Sequence, residues 1–389
     1  MPTKKQASPF PGPVDVPTYT ADIVGDIKRF DERDMIFARS DLFLDSGPDS
    51  EEFRAYYAAH PEYLEIDTKI NAMPGLGHTG GHDTPMFAAQ FAATDHLHYE
   101  DIVDGVPAAH KTTLSESSAT HKVKTLARLL GADLVGIGPL RQEWTYSHVG
   151  RREHRNAPID LSHHPTAIAM GFRMDYDLIQ HAPDFPVLLA TAKGYATGSW
   201  VSVQLAHYIR MLGYSARAHH LTNYQVLCVP VAVDCGLGEL SRAGFLLTRE
   251  LGLGLRIAIV TTDLPLTYDP PQDIGVQSFC ETCKICAEVC QIGAIPHGDK
   301  VEVNGIKRWI LDAEKCYRYW HAMGTDCGMC MSACPWTQRP TPLHKLMGRL
   351  ATIKGPHQKW MVWADKLLYG KFKTAPRPDY IDPYKPHKH

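Results

Sequence analysis

Eight cysteines between positions 280 and 334 are the residues best suited to chemistry in this chain. Cys280, Cys283, Cys286 and Cys290 spell C-x2-C-x2-C-x3-C within FCETCKICAEVCQIGAIP, and Cys316, Cys327, Cys330 and Cys334 follow, the last of them before Pro335. Each block offers three close thiolates and one remote. A [4Fe–4S] cube takes four thiolates at tetrahedral corners; a tight loop presents three of them, and in two-cluster ferredoxins the fourth is exchanged between the motifs. That rule places Cys280, Cys283, Cys286 and Cys334 on one cluster and Cys290, Cys316, Cys327 and Cys330 on the other. Paired zinc sites are the competing use of C-x2-C, but a third cysteine at x2 and a fourth at x3 are not zinc spacing. Two departures stand out: Gln291 follows Cys290 where proline is usual, and Cys316 precedes Cys327 by eleven positions instead of three. The wider gap predicts a loop, YRYWHAMGTD (317–326), with Tyr317, Tyr319, Trp320 and His321 beside the cluster or lining a cavity. Cys228 and Cys235 lie apart and read as buried, inert thiols.

Two such clusters form an electron wire, and the long stretch upstream is far more than an electron carrier needs, so an active site is expected there. With 389 residues, 44% of them hydrophobic, the chain can bury several cores. Forty basic against 43 acidic side chains leave a net charge of −3, which gathers no phosphates and points to a small-molecule substrate and no nucleic acid. Thiols concentrated in one region are not a secreted disulfide framework. No long apolar window or secretory leader is visible, so a cytoplasmic location is expected, with an exported form whose twin-arginine leader has been removed as the alternative.

The elements that must position this chemistry are legible in part. Residues 1–114 read as an irregular arm, with PGLGHTGGHD (74–83) as loop. From Ser115, SESSATHKVKTLARLLG offers a serine cap, apolar Val123, Leu126 and Leu130 at helical spacing, and Gly131 as a stop. ADLVGIG (132–138), TAIAMGF (166–172), VLCVPVAV (226–233) and LRIAIVTT (255–262) read as buried strands, and SWVSVQLAHYIRMLG (199–213) as a helix. Strands alternating with helices indicate an α/β core. The glycines of GLGELSRAG (236–244) and LGLGLR (251–256) do not make G-x-G-x-x-G, and no P-loop is present, so nucleotide binding is not indicated.

KTLARLLGADLVGIGPLRQEWTYSHVGRR, KGYATGSWVSVQLAHYIRMLGY, VPVAVDCGLGELSRAGFLLT, RIAIVTTDLPL and the two cysteine blocks together resemble a corrinoid-dependent reductive dehalogenase, over about 116–336. The extended gap before Cys327 is an accepted variant in that family. The resemblance implies an α+β or α/β fold: a nitroreductase-like corrinoid-binding core (115–268), a ferredoxin-like domain with two [4Fe–4S] clusters (269–345), and a C-terminal helix and tail (346–389). It implies base-off cobalamin, in keeping with the absence of D-x-H-x-x-G, with contacts at Tyr146, Ser147, Gly236 and Gly238. By the same resemblance Tyr195 of the Lys193-Gly194-Tyr195 step is the proton donor, Arg256 stabilises its phenolate, and Asn223 lines the pocket. Trp144, Tyr146, Trp200, Tyr319 and Trp320 are candidates for an aromatic cavity wall. The implied reaction converts R–X, two electrons and a proton to R–H and halide, with a low-potential electron donor and a membrane-anchor protein as partners. Two rivals are epoxyqueuosine reductase, whose proton donor is an aspartate where this chain has Tyr195, and a non-catalytic electron carrier.

Overall fold

The computed structural model describes residues 12–75, 84–152, 154–337 and 341–370, with 372, 374–376 and 378. At its centre is a four-stranded sheet in the order Leu134–Pro139, Thr166–Arg173, Leu255–Thr262, Ala216–His219, antiparallel at every junction. The core is therefore α+β and not α/β. Three strands fall where the sequence puts them. ARAH (216–219) escapes the apolar pattern because its interior positions include Arg217 and His219, both buried and hydrogen-bonded.

One face of the sheet carries two helices. Glu116–Leu130 is capped by the Ser115 hydroxyl, which accepts from the Ser118 N–H at 3.2 Å, and it ends at Gly131, whose φ of 121° suits glycine. Ala119, Val123 and Ala127 recur every four residues on its buried side. Pro186–Met211 begins earlier than the sequence suggests, with Pro186 at the first helical position, where its missing N–H costs nothing. Small residues let this long helix lie close to the sheet. At Gly198 a Cβ would touch the Phe172 ring at 3.4 Å, and at Gly194 it would stand 2.8 Å from Cγ of Arg256.

The other face is covered by Trp144, Tyr146 and Cys228–Asp234. The run VLCVPVAV, expected as a strand, is helical from Cys228 onward. An unbroken apolar run lacks the periodicity that separates the two, and Pro230, in the first helical turn, sacrifices no intrahelical hydrogen bond.

The amino-terminal arm is largely helical, with helices Ile36–Asp41, Glu51–Ala59, Pro61–Asn71 and Thr84–Asp95. Most of PGLGHTGGHD lies outside the described residues. The expected loop 317–326 is for the most part the helix Ala313–Met323, capped by the Asp312 carboxylate and ended by Gly324 in the left-handed conformation. Arm and helix hold each other. Buried Arg39 donates to Asp67 at 2.8 Å and to Glu314 at 2.6 Å, and Phe37 packs edge-on to Tyr317 at 4.7 Å. The helices Pro342–Ala351 and His357–Tyr369 follow, the second packed against Val276–Cys283. Among the described residues no helix is long and apolar enough to cross a membrane.

Candidate active site and its thiol groups

All eight cysteines are free and lie in two groups. Cys280 and Cys283 stand on Val276–Cys283; Lys284, with φ of 56°, breaks the helix, so Cys286 turns back toward them. Cys334 joins this group from beyond the short helix Met329–Ser332 and lies within the electrostatic reach of Cys280, Cys283 and Cys286. In the second group Cys330 feels Cys327 and, across the gap between the groups, Cys286, then Cys316 and Cys290. The chain path thus brings Cys334 beside the first three cysteines of the first block.

Burial raises these thiols: Cys280 and Cys327 to about 11, Cys286 and Cys316 to about 12, with neighbouring thiols adding to the rise. Ligation must therefore displace protons, which iron does readily because the thiolate is the ligand. Among the described residues no three His, Cys, Asp or Glu side chains converge tightly enough to hold a single metal ion. Four sulfurs on one zinc would stand about 3.8 Å apart, given Zn–S bonds of about 2.3 Å. A cube of iron and sulfide sets its corners farther apart, and this donor set suits it.

Next to the second group lies the Tyr195 region. Gly194 opens a slot through which the Arg256 stem crosses the long helix, and the guanidinium carbon lies 5.1 Å from the Tyr195 ring centroid. Arg256 Nη2 donates to the Thr191 hydroxyl at 2.6 Å and to the Asp326 carboxylate at 3.2 Å. The Thr191 hydroxyl in turn donates to the same carboxylate oxygen. Arg256 Nε is buried without a hydrogen-bond partner. Tyr224 shares this neighbourhood: burial first, then Tyr195, Cys228 and Tyr146, push its hydroxyl well above the ordinary tyrosine range, while Arg256 opposes the rise. Tyr195, Tyr224 and Cys228 keep accessible surface, although burial also pushes the Cys228 thiol up.

The sequence-predicted residues divide accordingly. Tyr195 and Arg256 come together. Asn223 is committed elsewhere: its amide donates to the His98 carbonyl at 2.8 Å and to Glu100 at 3.2 Å and accepts from Arg217 at 2.6 Å, which fastens the arm to the sheet. Tyr146 is buried with its hydroxyl 3.9 Å from Met35 Sδ, and Ser147 Oγ pairs with His148 Nδ1 at 3.1 Å. Gly236 and Gly238 are demanded by the chain itself, since a Cβ would stand 2.5 Å from the Pro270 carbonyl oxygen and 2.1 Å from that of Leu247. Of the expected cavity walls, Trp200 is 54% exposed, Trp144 donates to Asp234 at 2.9 Å within the core, and Trp320 packs on Phe37. Tyr319 donates to Gln291 at 2.8 Å. Cys235 is fully buried; Cys228 is not. Sequence reasoning missed Thr191, Asp326 and Tyr224. Their signals were faint: Thr191 one helical turn before Tyr195, Asp326 next to a ligand, Tyr224 next to Asn223.

Fold and site thus define a dicluster iron–sulfur protein whose second cluster adjoins a tyrosine–arginine pair. Residues 279–337 match the 4Fe-4S dicluster domain. The chain is 32% identical over 285 residues to the tetrachloroethene reductive dehalogenase of Dehalobacter restrictus, covering 61% of this chain and 51% of that protein. It matches the structure of the catabolic reductive dehalogenase NpRdhA in complex with 3-bromo-4-hydroxybenzoic acid at a TM-score of 0.75 and 27% identity, over 92% of this chain and 49% of that one. It is thus similar to reductive dehalogenases in sequence and fold, and it spans about half the length of the curated relatives it matches. An epoxyqueuosine reductase of Atelocyanobacterium thalassa aligns over only 124 residues at 26% identity, 27% of this chain and 35% of that protein.

Proposed function

We propose that this chain carries the catalytic core of a corrinoid-dependent reductive dehalogenase, which replaces the halogen of an organohalide by hydrogen using two electrons and one proton. The observation that carries the reading is the link from the second thiol group to Tyr195: Asp326, next in the chain to Cys327, accepts a hydrogen bond from Arg256, whose guanidinium lies over the Tyr195 ring. An electron inlet and a phenolic proton donor with its own cation are thereby joined, which a simple electron carrier does not need.

Two [4Fe–4S] clusters suit the thiol groups, and the partly accessible Tyr195, Tyr224 and Cys228, with a buried, unpartnered Arg256 Nε in the same neighbourhood, leave polar and aromatic surface for a cofactor to cover. Tyr224, Cys228 and the buried Tyr146 are the residues that would hold a corrinoid there; Gly236 and Gly238 are already spent on the chain's own carbonyls. When bound, the corrinoid supplies a low-potential cobalt centre able to reduce a carbon–halogen bond. Tyr195 protonates the carbon from which halide departs. An unperturbed phenol titrates near pH 10, so the phenolate left behind needs a cation, and Arg256 over the ring provides one. Apolar packing around Tyr146 and Tyr224 excludes water and strengthens that attraction. A nitroreductase-like core, a low-potential electron donor and a membrane-anchor partner belong to the same reading. The epoxyqueuosine reductase alternative is weaker, because its proton donor is an aspartate where Tyr195 stands.

The test is metal content after anaerobic reconstitution, followed by halide release from tetrachloroethene and 3-bromo-4-hydroxybenzoate with reduced viologen. About eight iron and one cobalt per chain, with halide release that collapses in Tyr195→Phe, are expected. Eight iron without cobalt would refute the reading in favour of an electron carrier.

A further inference from the structure

The residues around the two thiol groups place opposite charges against them. Beside the first, Arg242 is buried, donating to the carbonyls of Cys280 at 2.8 Å, Pro296 at 2.9 Å and Gly298 at 2.7 Å, and its positive field reaches Cys280 and Cys286. Beside the second, the Asp326 carboxylate, 4% exposed, is next in the chain to Cys327, and its negative field reaches both Cys316 and Cys327. A buried carboxylate needs compensation, and here Thr191 and Arg256 give it.

We propose that Asp326 is a positioning residue with two effects: through Thr191 it clamps Arg256 over the Tyr195 ring, and through its charge it lowers the potential of the second cluster below that of the first. The proposal rests on the dehalogenase reading for the first effect and only on the dicluster fold for the second. The physical argument is direct. Arg256 Nη2 has two acceptors, and both belong to the Thr191–Asp326 pair. Without the carboxylate, the guanidinium keeps one neutral hydroxyl, and its cation is free to swing from the phenol it must stabilise. A negative charge beside a cluster disfavours the added electron, and the positive Arg242 beside the other cluster favours it. The first cluster is then the resting place for an electron and the second a low-potential step next to the active site. The carboxylate ties the electron inlet to the proton donor.

The experiment compares Asp326→Asn, Asp326→Glu and Thr191→Val with the parent chain, each reconstituted with iron, sulfide and cobalamin. An EPR-monitored redox titration follows both clusters, and turnover is measured on 3-bromo-4-hydroxybenzoate and tetrachloroethene with reduced methyl viologen. In Asp326→Asn the potential of the second cluster rises and that of the first stays, while kcat falls about tenfold or more at a KM within about twofold. Asp326→Glu recovers most of both. Thr191→Val lowers kcat and leaves the potential in place, because the charge remains. An unmoved second-cluster potential in Asp326→Asn overturns the electrostatic effect, and parent-like turnover in Thr191→Val overturns the clamp even where the asparagine variant fails to hold its iron. A parent chain that releases no halide refutes the dehalogenase reading and the clamp with it; the titration still decides the charge effect.

Discussion

Gly194→Ala should separate the geometry of the site from its composition, because it changes no functional group. An added Cβ would stand 2.8 Å from Cγ and 3.2 Å from Cβ of Arg256, and both atoms belong to the stem of the side chain, where little can give. Restoring ordinary contact at about 3.4 Å moves the stem or the helix by about 0.6 Å, enough to strain the 3.2 Å bond to Asp326. Overpacking costs about 1–3 kcal/mol, and alanine returns about 1 kcal/mol in helix propensity, so the net loss of stability is about 1 kcal/mol. Weakening a charge-assisted hydrogen bond removes about 1.5–3 kcal/mol of anchoring, or about 10–100-fold in turnover. Halide release under reduced viologen and a thermal melt measure the two effects separately. A variant with a raised melting temperature and parent-like turnover would refute the slot argument, because it would show that Arg256 does not depend on the bare backbone at 194.

Other perturbations test other parts of the structure. Cys334→Ser should cost the cluster of Cys280, Cys283 and Cys286, and Cys290→Ser the other one, each lowering iron from about eight to about four per chain; EPR spectra that assign Cys334 to the second cluster would contradict the exchange of ligands. Arg242→Met leaves three carbonyls without their shared donor and should destabilise the fold by about 3–5 kcal/mol, seen as a lower urea midpoint. Burial, followed by nearby positive charge, lowers His164 to about 4, and burial lowers His220 to about 3, so both are neutral in the folded chain. Their folded values lie below the unfolded value near 6.5, so stability is complete above that pH and falls as pH drops from about 6.5 toward about 4 and then about 3. His164, bonded through both ring nitrogens to Thr261 and Ser215 at 2.8 Å, should account for on the order of 3 kcal/mol of that loss. Urea midpoints at pH 7.5 and 5 should differ, and less so in His164→Gln.

What could be read without a structure followed from local regularity. Ser115 and Gly131 bound one helix correctly because capping is a property of neighbouring residues. LRIAIVTT matches its strand because one unbroken apolar run of strand length has few other uses. The run 226–233 was ambiguous for the converse reason, and the aromatic stretch 317–326 was expected as a loop because its helix faces a partner, the Arg39 and Phe37 arm, that lies far away in sequence.

The sequence by itself determined that eight cysteines stand in two spaced blocks of a dicluster domain, since cluster ligation constrains spacing along the chain and the spacing survives as a pattern. It also held Tyr195 and Arg256, though only through family resemblance. The tertiary structure alone decided which groups surround them. Thr191, Asp326 and Arg256 meet from a helix, a ligand loop and a strand, separated by as many as 135 residues, and no local signal records a contact of that span. It likewise decided that Gly236 and Gly238 accommodate the protein's own backbone, that Asn223 braces the arm, and that Trp200 faces solvent. Short-range chemistry is written in residue order, whereas the environment that tunes it comes from packing between distant segments.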